Sequence, residues 1–174
     1  MKIITTPMCE DILKISNIKD YEVVTVDRIA DADVVVTLSE TETAIPKISV
    51  KLNTYGQLLD SINAVSAKFD TECDEDKVTL IKSLIEDNDN KRVERENIKV
   101  KVYSNFLTDT VKDMGFNVTN EDYDYVVIPD YMRDKFEKED CVVVVPSHKN
   151  VSFDIIRRIS KRYQLLESKL CMKQ

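Results

Sequence analysis

The order of apolar runs in this chain occurs twice. From Lys2 the runs read "KIITT", a short helical stretch around "CEDILKI", then "YEVVTV", "ADVVVTLS", "PKISVKL" and an amphipathic stretch from about Tyr55 to Phe69. From Ile98 the order returns as "IKVKVYS", a helical stretch through "FLTDTVKDMG", "FNVT", "YDYVVIPD", "CVVVVPS" and a long amphipathic stretch over about 152–170. Each half reads β-α-β-β-β-α, with "DADVVVTLS" answering "DYDYVVIPD" and "KISVKLN" answering "CVVVVPS". Such self-similarity constrains the fold more than any single motif, because both halves must use one hydrophobic pattern in one way.

That pattern selects the sheet type. Continuous runs such as residues 34–36 and Val142–Val145 suit strands covered on both faces, as in a parallel sheet flanked by helices. The expected fold is therefore α/β, with two repeated Rossmann-like β-α-β-β-β-α lobes and mainly parallel sheets. The last stretch sets Ile155, Ile156, Ile159, Tyr163, Leu166 and Leu170 at three- and four-residue spacings, the apolar stripe of a helix that packs on one face. Between the halves lies the strongly charged "TECDEDKVTLIKSLIEDNDNKRVEREN". Its apolar set Val78, Ile81, Leu84 and Ile85 predicts a helix over about 75–87, followed by a solvated joint at "DNDNKRVEREN". The expected division is 1–72 for the first lobe, 73–97 for a charged helical linker, and 98–174 for a second lobe with a basic C-terminal helix. Lobes this small are marginal alone.

Several function classes fall away. Only two glycines exist, Gly56 and Gly115, so neither a GxGxxG turn nor a Walker-type phosphate loop can be written. Cys9, Cys73, Cys141 and Cys171 form neither a CxxC pair nor a zinc-finger spacing with the single histidine, so no disulfide framework, no metal site and no cofactor is expected. A net charge of −7 argues against a chain-wide nucleic-acid surface, which needs dense Lys and Arg. No apolar run approaches the ~20 residues of a membrane span, and the opening residues lack a signal peptide's apolar stretch. A cytoplasmic protein with neither nucleic-acid nor membrane partners is expected.

Candidate chemistry centres on few residues. In "TTPMCED", Thr6 suits a helix N-cap and Pro7 the first helical position, which would put Cys9 in a first turn where backbone amides favour a thiolate. Glu10 and Asp11 oppose ionisation, leaving Cys9 either a packing residue or a nucleophile. His148 follows the strand-like "CVVVV", at the strand end where ligands bind in open α/β sheets, and reads either as a partner for Cys9 or as part of a polar loop. Arg133 and Lys149 could hold a carboxylate or phosphate beside the hydroxyls and amides of 39–43, Asn53, Thr54, Ser104, Asn105 and 129–135. Cys9, Arg133, His148 and Lys149 are thus the candidate ligand-binding residues, and no catalytic constellation emerges. The pairs Glu40 with Glu42 and Asp122 with Asp124 read as solvated loops without a role.

Charge is unevenly spread. Residues 151–174 carry 6 basic and 2 acidic side chains, against 19 and 30 in the rest. Arg157, Arg158, Lys161 and Arg162 fall in the first half of the last helix, away from the end that the helix dipole would favour, which suggests docking on an acidic patch of the other half or of a partner protein.

The step from Asp into an apolar strand in "DADVVVTLS" and "DYDYVVIPD" resembles the half-Rossmann units of class III periplasmic binding proteins and of the nitrogenase-type superfamily, over most of both halves. The resemblance implies a fold and no activity. The chain is also similar in style to small proteins of methanogenic archaea, some of which assist methyl-coenzyme M reductase or its cofactor assembly. The lack of a catalytic constellation, the marginal lobes and the segregated basic helix point to a non-enzymatic accessory or assembly protein with a protein partner or a homo-oligomer, and the resemblance implies a link to methyl-coenzyme M reductase. The alternative is a small-molecule or anion-binding protein, or an enzyme, with a site in the cleft between the lobes.

Overall fold

The structure is a computed structural model that describes residues 1–137, 140–147 and 152–171. The chain divides into two compact units, Met1–Ser83 with Phe153–Ile155, and Leu84–Ser152 with Ile156–Gln174. In the first, β1 (Ile3–Thr5), α1 (Glu10–Ile15), β2 (Glu22–Val23), β3 (Val34–Leu38), β4 (Lys47–Val50) and α2 (Tyr55–Phe69) follow in order. α3 (Glu75–Asn90) spans the division. The second holds α4 (Arg92–Arg95), β5 (Lys99–Val102), α5 (Asn105–Asp113), β6 (Asn117–Val118), β7 (Tyr125–Pro129), β8 (Val142–Val145) and α6 (Ile155–Leu170), the last beginning one residue before the division.

Each unit carries a four-stranded sheet, in the order β2-β1-β3-β4 and β6-β5-β7-β8, and every pairing is parallel. Position for position the two orders are the same, so the duplication read from the sequence is a duplication of topology. The central strands are buried as the Val and Ile runs require: Val34, Val35 and Val36 in β3, and all of β7. β8 departs from that expectation. It is an edge strand, where the covering layers thin out, and Val142 and Val144 are only half-buried.

Local devices repeat as well. After α1, Asn17 adopts φ 55°, its N–H donates to Lys14 O (3.1 Å) and that of Ile18 to Leu13 O (3.0 Å). After α5, Gly115 adopts φ 92°, with Gly115 N–H on Lys112 O (3.0 Å) and Phe116 N–H on Val111 O (3.2 Å). Both are Schellman ends, which satisfy carbonyls that a helix terminus would leave open. Two further pairs mark the strand starts: Asp33 Oδ2 accepts from the Lys2 amide (2.5 Å) and Asp124 Oδ2 from the Lys99 amide (2.9 Å). The second aspartate of each Asp-x-Asp therefore fastens the neighbouring strand, while Asp122 pairs with Lys99 Nζ at 2.6 Å. Asp122 and Asp124, read in sequence as a solvated pair without acid/base or metal work, here hold the Lys99 side chain and amide.

The segment expected as a solvated joint is helical and partly buried. α3 runs to Asn90 and α4 follows at once; Asn88 and Arg95 are 6% and 3% exposed. A buried guanidinium needs a counter-charge and acceptors. Arg95 finds them in an ion pair with Glu167, in Asn88 Oδ1 (2.9 Å) and in Met114 O (2.8 Å). Asn88 in turn donates to Asp113 O (2.9 Å), and Tyr163 Oη donates to Asp113 Oδ2 (2.5 Å). This network fixes Tyr163 and Glu167, hence the rotation of α6. Among the described residues no helix is long and apolar enough to cross a membrane.

Candidate functional site

α6 has two faces with different tasks. Ile155, Ile156, Ile159, Tyr163, Leu166 and Leu170 form the buried stripe. A second set, Arg158, Lys161, Arg162 and Leu165, falls at i, i+3, i+4 and i+7, which is again one helical face. These four side chains line a cavity of about 210 Å³. Val145 and Pro146, at the carboxyl end of β8, line it too, as does Ser152. The cavity thus stands beside the carboxyl end of a parallel strand, the edge at which open α/β sheets take ligands.

Its electrostatics are unusual for a surface helix. Arg158 is 6% exposed and Arg162 is half-buried, whereas Arg157 and Lys161 are exposed. Arg162 is pushed down to about 10, first by burial and then by the like charge of Arg158, with Tyr163 opposing. Two arginines at i and i+4 repel on a helix. A perturbed group that lines a cleft is a candidate for a functional site. Arg162 also stacks on Phe106, its guanidinium carbon 4.9 Å from the ring centroid. That contact holds the planar fork in place by cation–π attraction.

The first unit offers an open groove of about 500 Å³ beside β2. Lys2, Glu22, Arg28 and Asp31 all line it, and Lys2 pairs with Glu22 at 3.5 Å. With both signs present, it selects neither.

The residues singled out in sequence scatter. Cys9 is 0% exposed, and the helix begins after it, at Glu10, so Thr6 and Pro7 form a turn closed by Cys9 N–H on Thr6 O (2.9 Å) rather than a first helical turn. Arg133 is exposed on the 3-10 turn Asp130–Phe136 that follows β7. His148 and Lys149 lie outside the described residues. Several loop hydroxyls serve the fold. Thr54 caps α2 by accepting from Gln57 N–H (3.1 Å), and Ser147 donates to Asp130 Oδ1 (2.5 Å). Sequence reading noticed the cations of α6 but missed Val145, Pro146, Ser152 and Leu165. The signal that could have found the site is the i, i+3, i+4, i+7 spacing of three cations with Leu165, directly after a strand ending in Pro146.

Comparison with known proteins adds the following. Residues 96–171 match the MJ0786 family C-terminal domain. That segment holds β5 to β8 and α6, and so the whole cavity. No curated protein is a sequence match. Solved structures share the fold over nearly the full chain. The Zn(II)-bound AdcAII mutant variant of Streptococcus pneumoniae superposes with TM-score 0.67 at 10% identity, covering 98% of this chain and 99% of that one. The solute-binding protein FpvC of P. aeruginosa, in complex with Ni2+, gives 0.66 at 11%, covering 100% and 98%. The periplasmic vitamin B12 binding protein BtuF of Vibrio cholerae gives 0.61 at 10%, covering 99% and 98%. Likeness at this identity shows the fold alone, an α/β chain of two similar lobes.

Two expectations are corrected here. The chain was expected to be an accessory or assembly protein, with a protein partner or self-association and a link to methyl-coenzyme M reductase. The three structures just compared are described as Zn(II)-bound, as in complex with Ni2+ and as vitamin B12 binding, and none of them as an assembly factor. Of the basic cluster, Arg158 is buried and Arg162 half-buried, and both line a cavity together with the exposed Lys161, while Arg157 is exposed, so the four do not form one solvated face. Among the described residues no group of three or more His, Cys, Asp or Glu could hold a metal ion.

Proposed function

We propose that this chain binds a small anionic solute, held in the cavity that Arg158, Lys161 and Arg162 line beside the end of β8. The observation that carries the reading is the convergence of three cations on one cavity, with Arg162 pushed down to about 10. An anion placed there offsets the repulsion between Arg158 and Arg162 and takes up donors whose fixed geometry matches oxyanions. The solute-binding descriptions of proteins with this fold support the class of function. Arg133, exposed after β7, stays a proposed accessory contact, segment 73–97 a proposed link between lobes, and the cytoplasm a proposed location.

The test is a thermal melt of the full chain in phosphate, in carboxylates and in Zn2+ or Ni2+ at matched ionic strength. A ligand at a hundredfold its Kd stabilises by about 2.7 kcal/mol, which for a chain of this size raises Tm by roughly 5–10 °C. Anions should produce that rise in the native chain and not in Arg162→Gln. A rise with the metals alone, or with nothing, sinks the reading.

A further inference from the structure

We propose that the cavity takes an amphiphilic oxyanion, a carboxylate or phosphate-ester head on a short apolar body of about four or five carbons. This rests on the anion-binding reading above and narrows it to a ligand class.

The head is set by the cations. Arg158 and Arg162 present planar forks that suit the paired oxygens of a carboxylate or a phosphate, and Phe106 keeps the Arg162 plane fixed at 4.9 Å. The body is set by carbon. Val145, Pro146 and Leu165 also line the space, and a bare inorganic ion would leave those surfaces against water.

Volume limits the size. A cavity of about 210 Å³ has room for about seven groups the size of a water molecule, at ~30 Å³ each. An oxyanion head uses two or three, leaving about four or five for carbon. A nucleotide is several times too large. The apolar part accounts for why Leu165 shares a helical face with three cations, which a site for a simple inorganic ion would not require.

The experiment is calorimetric titration of the full chain with inorganic phosphate, with the alkanoates from acetate to decanoate, and with alkyl phosphates of matching chain length. Affinity should rise about threefold to fourfold per added methylene, the gain expected for burying one CH2, and stop rising at about five or six carbons in the alkanoates and about four or five in the alkyl phosphates as the cavity fills. The better of the two series identifies the head. Leu165→Ala should flatten the chain-length dependence while acetate and inorganic phosphate bind as before. Lys161→Gln, at an exposed position that leaves the fold intact, should weaken every member of both series about threefold to tenfold. Inorganic phosphate binding as tightly as hexyl phosphate overturns the amphiphile inference and leaves the anion reading standing, as does affinity that climbs unbroken through decanoate. Binding by no anion overturns both.

Discussion

The chain's only two glycines should respond to alanine in opposite directions. Gly115 ends α5 at φ 92°, and a Cβ added there would lie 2.9 Å from both Cα and Cβ of Arg92 and 3.0 Å from its carbonyl oxygen. Backbone cannot yield as a flexible side-chain tip can, and Arg92 is tied in place by its own bond to Asp113 O (2.8 Å). Left-handed backbone costs an L-residue about 1–2 kcal/mol, and forcing extra volume into packed surroundings typically adds about 1–3. Gly115→Ala should therefore cost about 2–5 kcal/mol, a fall in Tm on the order of 10 °C for a chain of this size. Gly56 sits in the first turn of α2, where an added Cβ meets nothing closer than Thr54 Oγ1 at 3.9 Å. There the only change is reduced freedom of the unfolded chain, worth about 0.4–1 kcal/mol in favour of alanine. Circular dichroism melts, with urea titrations for the free energies, measure both. If Gly115→Ala melts within about 2 °C of the parent, or both variants move the same way, the left-handed turn against Arg92 is not where this reasoning puts it.

Glu167→Gln should cost about 2–4 kcal/mol by urea denaturation, because it strips the counter-charge from Arg95, which is 3% exposed; Arg95→Met should cost less, since Glu167 retains some exposure and can rehydrate. Asp33→Ala and Asp124→Ala should each cost about 0.5–1.5 kcal/mol, and nearly equal losses would bear out the matched strand fastenings of the two units. In native-state alkylation followed by mass spectrometry, exposed Cys141 should be labelled well before Cys9, which is 0% exposed, and rapid labelling of Cys9 would reopen its case as a nucleophile. Asp113 is raised above the ordinary carboxylate range by burial, against the opposing bond from Tyr163. Its folded form holds the proton more tightly than its unfolded form, so its contribution to stability grows as pH falls through the raised value and fades as pH rises. The stability difference between the parent and Asp113→Asn should accordingly shrink as pH rises from about 4 to about 7, and a constant difference would contradict that sign.

What the sequence determined by itself is the architecture. Hydrophobic periodicity is a local property, and the repeated order of Val and Ile runs was enough to announce two copies of one parallel α/β unit; the bounds of α2 were legible to the residue. Long-range neighbours were not legible. Only the tertiary structure brought Asn88, Arg95, Asp113, Tyr163 and Glu167 into one network, burying a segment whose charge had read as solvated. The same holds for Arg158 and Arg162. Their positions on a helix face follow from spacing, but whether that face meets water or a strand end depends on where β8 and Pro146 lie, and that turned an apparent docking surface into the wall of a cavity. Burial of a charge is decided by the elements packed around it, and those are distant in sequence, so the chemistry of this protein's site had to come from its fold.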